Sequence, residues 1–257
     1  MATDRTRRPV RAGAASAYRA VVTDVDGTLT DQSRRLDPTA IDRVRLLEEA
    51  GIPVVLATGN VLPIALALHR SLGLSGPIVA ENGGIVYRRT ARGREVVERR
   101  ADLAVALGAY RALRRAGLPV RRLFTDRWRE SEVALEPNVP LSRLRRALVD
   151  HPVAVESTGY AIHLMARGAG KLPALCSALA PLGLAPRDCV ILGDGDNDAR
   201  MLRAAGFGVS FASASPRARR AARYVSRSSY AAGFVEGLKA SRILDSAGPT
   251  GRSGSCS

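Results

Sequence analysis

The chain has 257 residues, of which 46% are hydrophobic and 25% charged, the balance of a soluble globular protein long enough to bury a sizeable core. Lys and Arg number 39 against 24 Asp and Glu, a formal net charge of +15 carried almost wholly by arginine; such a surface attracts anions without saying which. Three cysteines (Cys176, Cys189, Cys256) and three histidines (His69, His151, His163) lie scattered, which excludes a disulfide framework, argues against zinc and makes the cytoplasm the expected compartment.

Residues 1–17 are basic and rich in Arg, Ala and Ser, and read as a disordered tail. The first strand then runs from Ala20 into Asp24-Val25-Asp26-Gly27-Thr28. Asp37-Pro38 has the form of a helix start, with Asp37 as cap and Pro38 at the first position. Ile41, Val44 and Leu47 follow at helical spacing, and Gly51 ends the helix. Ile52 to Ala57 is a short apolar run, read as a buried strand that stops at Thr58-Gly59-Asn60. Val61 to Leu72 is the next helix and Pro77 to Ala80 a third strand. The stretch 52–68 is the most apolar of the chain, but Thr58, Gly59, Asn60 and Pro63 break it well short of a membrane span.

After Gly84 the rhythm changes. A hairpin over 85–97, turning at Arg92-Gly93, is followed by two helix-strand-strand units. The first has its helix over 102–116 and strands near 120–124 and 131–135; the second has its helix over 141–149 and strands near 153–156 and 160–164. From Lys171 the alternation of helix and strand resumes: helix to Leu182, strand Cys189–Leu192, helix Asp198–Ala205, strand Phe207–Val209 and a closing helix near Gly233–Ala240. The fold expected is α/β: a Rossmann-like, doubly wound parallel sheet over 18–84 and 160–242, interrupted by an inserted α+β unit over 85–159. The Ser/Gly-rich residues 243–257 read as a second tail.

Side chains two apart on a strand point the same way, so Asp24 and Asp26 stand together at a strand's carboxyl end, where open α/β sheets bind ligands. Two such carboxylates can hold a hard cation, or divide nucleophilic attack and proton transfer between them. An Asp-Gly pair is equally a hairpin-turn signal. Gly193-Asp194-Gly195-Asp196-Asn197-Asp198 is a second acidic cluster between strand and helix. It begins like a calcium loop but has Ala199 where glycine belongs and Ala205 where the bidentate Glu belongs. Thr58 and the Gly59 amide could bind phosphate, or Thr58 could simply cap a helix. Lys171 follows Gly168-Ala169-Gly170, yet Met165 and Leu172 rule out a P-loop. A lysine opening a helix opposes the helix dipole.

Together these four stretches resemble the haloacid dehalogenase superfamily of phosphatases. Asp24-x-Asp26-Gly27-Thr28 is similar to its first motif, Thr58-Gly59 to its second, Lys171 to its third and Gly193-Asp194-x-x-Asn197-Asp198 to its fourth. The resemblance covers roughly residues 20–240, and the insert lies where that superfamily carries an αββαββ cap of the C2 type. Within it, Ala57-Thr58-Gly59-Asn60, Val61-Leu62-Pro63 and Glu81-Asn82-Gly83-Gly84 are most similar to the archaeal-type phosphoglycolate phosphatases. Sugar phosphatases with such caps commonly carry Arg at the Asn60 position. Leu172 departs from the pattern, which has glycine after the lysine.

The resemblance implies a magnesium-dependent phosphomonoester hydrolase. Asp24 would be the nucleophile, forming an aspartyl-phosphate, and Asp26 the general acid and base. Thr58, Gly59, Lys171 and Asn197 would bind the substrate. Magnesium would be held by Asp24, the Asp26 main-chain carbonyl, Asp194 and, through water, Asp198. The partner implied is a small phosphorylated metabolite, most simply 2-phosphoglycolate, with no membrane partner and with a homodimer allowed. Other sugar-phosphate phosphatases and phosphomutases are the nearest rivals. A nucleic-acid-binding role would suit the net charge, but aromatics make up only 4% of the chain and no stacking motif is present, leaving weak non-specific binding at most. Recognition of phosphoglycolate would also need a second cationic region; Arg88, Arg121, Arg122 and Arg127 of the insert are candidates that spacing does not rank.

Overall fold

The computed structural model describes residues 18–158 and 160–244. Residues 1–17 and 245–257, which hold nearly all of the two expected tails, lie outside the described residues. The chain opens with β1 (Ala20–Thr23), α1 (Pro38–Glu49), β2 (Val54–Ala57), α2 (Leu62–Leu72) and β3 (Ile78–Ala80). The hairpin β4 (Ile85–Arg89) and β5 (Glu95–Arg99) comes next, then α3 (Leu103–Arg115), β6 (Glu132–Leu135), α4 (Leu141–Ala147), β7 (Val153–Ser157) and β8 (Ile162–Ala166). The last third carries α5 (Lys171–Leu179), β9 (Cys189–Leu192), α6 (Ala199–Ala204), β10 (Phe207–Ser210), α7 (Pro216–Ala221), β11 (Tyr224–Val225) and α8 (Tyr230–Ser241).

The main sheet has the order β11-β10-β9-β1-β2-β3-β4-β5. Every pair from β11 to β3 is parallel, and β4 and β5 extend the sheet antiparallel. The chain therefore builds outward from β1 in one direction, then returns at β9 and builds in the other. The crevice between β1 and β9 is the switch point at which such sheets bind ligands. β1 is fully buried on both faces, as its uninterrupted Ala-Val-Val-Thr run requires. In α1 the Asp37 carboxylate accepts the Thr39 N–H at 2.8 Å, and Ala40, Val44 and Leu47 turn to the core.

A second, three-stranded antiparallel sheet, β6-β8-β7, packs against α3 and α4 around its own core of Leu113, Val133, Leu135, Leu144 and Leu164. Sheet membership differs from the sequence reading in three places. The 85–99 hairpin pairs with β3, not with the insert, because Val79 and Val86 zip two apolar strands together. β8 is the central strand of the small sheet, as the second helix-strand-strand unit implies, so the insert runs past the boundary drawn at 160. The strand expected near 120–124 is reduced to a bridge between Arg122 and Leu135, because Phe124–Trp128 turns as a 3₁₀ helix that carries Asp126 back onto the Ala134 amide. Ile243, assigned to the tail, is fully buried in the main core.

The two links between the sheets, residues 100–102 and 167–170, run side by side, and both border Gly83 in the turn from β3 to β4. Gly83, with φ of +99°, lies against the Gly170 carbonyl and the Lys171 amide, and a Cβ there would collide with both. At the far edge, the Glu236 carboxylate accepts the N–H groups of Arg227 and Ser228 and the Tyr224 hydroxyl. The backbone bond from Arg227, then the Tyr224 hydroxyl, draw that carboxyl down to about 2. A depressed acid stabilises the fold fully above its ordinary pKa near 4.5 and loses that contribution as pH falls to about 2. Glu236→Gln is expected to melt below wild type at neutral pH, and the gap in Tm to close as the pH is lowered through this window.

Candidate active site

Asp24 follows β1 directly, and its amide continues the ladder to the Leu192 carbonyl at 3.0 Å. Asp194 stands two residues beyond β9 on the neighbouring crest. Between them the chain turns at Gly27, whose φ of +81° and contact with the Asp194 carboxylate leave no room for a Cβ. Asp198 closes the 3₁₀ turn Asp196–Asp198. Its Oδ2 accepts the N–H groups of Asp194 and Gly195 at 3.2 and 2.9 Å. Carboxylate oxygens of Asp24, Asp194 and Asp198 lie within 4.8 Å of one another.

Lys171 opens α5 and points inward. Its Nζ donates to Asp24 Oδ1 and to Asp198 Oδ1, each at 2.7 Å, and the side chain is buried. Burial opposes its charge, but Asp198 and Asp24 hold the ammonium above its usual range. Burial pushes the Asp24 carboxyl well up; Lys171 pulls it back, and Asp198 and Asp194 add to the rise. Burial, then Asp198, raise Asp194 to about 7. Three carboxylates thus converge on one ammonium in a buried crevice, an excess of negative charge supplied entirely by oxygen donors. That donor set fits a hard divalent cation.

Asp26 stands beside this cluster, half-exposed. Its Oδ1 accepts from Arg34 at 2.9 Å and its Oδ2 from the Asn60 amide at 2.7 Å. Thr58 is buried, and its hydroxyl oxygen accepts from the Asn60 backbone and side-chain amides, which leaves the hydroxyl hydrogen to donate. It caps no helix, since α2 begins after Val61. Gly59 and Asn197 line the cavity over Asp24, and Asn197 donates to Asn82 Oδ1 at 2.9 Å. The structure thus brings all eight sequence-selected residues to one crest.

That cavity measures about 210 Å³. Its floor is Asp24, Asp26, Asp194 and Asn197, and its roof comes from the insert through Leu123, Thr125, Arg129, Tyr160 and His163. None of the four candidate arginines lines it. Arg88 pairs with Glu98, Arg121 with Glu136 and Arg122 with Asp126, while Arg127 stacks over Phe124. Arg129 and His163, which no motif marks, take that place. Arg34 also reaches the cavity and lies over the Tyr160 ring at 3.9 Å.

A doubly wound sheet with this crest of carboxylates and a buried lysine defines a class, and the chain belongs to it: it is a haloacid dehalogenase-like hydrolase, matching that family over residues 21–126 and 137–238. Among individual relatives, the phosphoglycolate phosphatase of Methanothermobacter thermautotrophicus is 39% identical over 222 residues, 86% of this chain and 97% of the relative. The phosphoglycolate phosphatase of Methanoculleus marisnigri is 40% identical over 85% of this chain and 94% of its own length. The crystal structure of Thermoplasma acidophilum protein 0175 superposes with a TM-score of 0.77 at 28% identity, covering 88% of this chain and 99% of that one. Among the described residues no helix is long and apolar enough to cross a membrane.

Proposed function

We propose that this hydrolase removes the phosphoryl group from small phosphomonoesters, and that its substrate is 2-phosphoglycolate, released as glycolate and inorganic phosphate. The observation that carries the reading is Lys171 Nζ held 2.7 Å from both Asp24 and Asp198 under a cavity of about 210 Å³. The relatives named phosphoglycolate phosphatase support the choice of substrate.

Asp24 attacks phosphorus in line; the bond from phosphorus to the ester oxygen breaks, and an aspartyl-phosphate remains. Asp26 gives a proton to the departing alkoxide, then takes one from the water that attacks phosphorus and frees Asp24. Thr58, through its hydroxyl hydrogen, the Gly59 amide and Lys171 hold the phosphoryl oxygens, where most of the rate enhancement arises from fixed charge and orientation. Asn197 keeps the crest in place through Asn82. Magnesium, held by Asp24, Asp194 and the Asp26 main-chain carbonyl, with Asp198 acting through water, would offset the negative charge gathered there. The same reading places the enzyme in the cytoplasm, acting on a diffusible phosphorylated metabolite.

The test is a phosphomonoester panel assayed with and without magnesium. Activity is expected to require the ion. A charged hydrogen bond to the substrate carboxylate is worth about 1.5–3 kcal/mol, so kcat/KM for phosphoglycolate is expected to exceed that for ethyl phosphate by roughly tenfold to more than a hundredfold. Added salt should narrow the difference. Equal values, or preference for a hexose phosphate, would move the assignment to the sugar phosphatases.

A further inference from the structure

The cavity has two walls of opposite character. All the acids that line it, Asp24, Asp26 and Asp194, belong to the floor, whereas the roof presents Arg129 and His163 and no acid. Behind the roof lies a buried carboxylate, Glu132 on β6. It accepts from the Asn82 amide, from the Arg129 guanidinium and from His163 Nδ1, the last at 2.9 Å. Burial opposes the charge on Glu132, but His163 and Arg129 outweigh it and hold the carboxyl below its ordinary range. Glu132 is therefore an acceptor only, and the His163 Nδ1 must carry the hydrogen of that bond.

The tautomer leaves Nε2 as the free end of the ring. It has no hydrogen-bond partner among the described residues, although His163 is only 3% exposed and lines the cavity. Arg129 is braced on both sides: one terminal nitrogen goes to Glu132, the other to the Gly59 carbonyl at 3.0 Å, while its buried Nε makes no hydrogen bond and lies 4.0 Å from the Asp126 carboxylate. An anion in front of the ring can be held only if Nε2 also carries a proton, which sets a cationic imidazole between Glu132 and that anion, beside the Arg129 guanidinium.

We propose that His163, buttressed by Glu132 and flanked by Arg129, is the residue that receives the substrate's carboxylate, so that the Arg129–Glu132–His163 cluster selects phosphoesters carrying a second anionic group over neutral ones. The inference rests on the phosphoglycolate reading above and names the residue that enforces it. Phosphate is bound from the floor and the carboxylate from the roof, which orients the short substrate across the cavity. Neutral alkyl phosphates lose the roof contact, and hexose phosphates offer no carboxylate to it.

The experiment compares kcat/KM for phosphoglycolate and for ethyl phosphate in wild type and in His163→Gln. The ratio of the two is expected to fall by at least about tenfold in the variant, chiefly through KM for phosphoglycolate. A merely structural role would lower both substrates together and leave the ratio intact, which would overturn the proposal. As a check that needs no variant, ¹⁵N spectra of the wild-type imidazoles are recorded with 3-phosphonopropionate and with ethylphosphonate. The proposal expects the His163 resonances to move to the charged form with the first alone; no change with either would sink it. If His163→Gln does not fold, these spectra decide. A wild-type ratio near one would instead count against phosphoglycolate itself, so the two failures are distinguishable.

Discussion

Asp24→Asn is expected to abolish turnover, lowering kcat on the order of 10⁴-fold or more, because the atom that would bond to phosphorus is gone. No aspartyl-phosphate should then form on rapid quenching with radiolabelled substrate. The fold should survive. Burial already favours the uncharged form of this side chain, and asparagine keeps its shape without the charge. In the absence of divalent cation, Tm is expected to equal or exceed that of wild type. Near wild-type turnover would end the covalent mechanism. Loss of both activity and Tm would show instead that the Asp24 carboxylate is structural.

Lys171→Met should cost both rate and stability. The ammonium serves the phosphoryl oxygens in the proposed mechanism, and removal of one such charged donor costs about 10²–10³ in kcat. It also neutralises Asp24 and Asp198, both buried and each 2.7 Å away. Breaking a buried pair by deleting one partner leaves an uncompensated charge, worth about 3–5 kcal/mol. Thermal melting without divalent cation should therefore show a large fall in Tm, and added magnesium should return part of it by supplying positive charge. A variant that melts like wild type with and without the ion would contradict the charge balance described for the crest.

The sheet core was legible because its determinants are local. β1 and β9 are short, unbroken apolar runs ending in acid-rich turns, and Asp37-Pro38 starts α1 by capping and fixed φ alone. What stayed hidden depends on partners far away in the chain. The turn at Arg92-Gly93 marked 85–97 as a hairpin but held no information on which sheet it would join. The stretch 120–124 has the apolar content of a strand, yet the demand of buried Asp126 for Arg122 and the Ala134 amide turns it instead. His163 and Glu132 meet across 31 residues, and Asn82 and Glu132 across 50, so no spacing could link them. Asn60 was visible only as a departure from the sugar phosphatases; its task, holding Asp26, emerges from the fold.

The paired links at 100–102 and 167–170 bear on how the roof is held over the crest. Both tethers of the small sheet, 100–102 and 167–170, border Gly83, and the residue immediately after the second is Lys171. The position of the small sheet over the crest is thus tied, through the backbone of residues 167–170, to the residue that seats the ammonium.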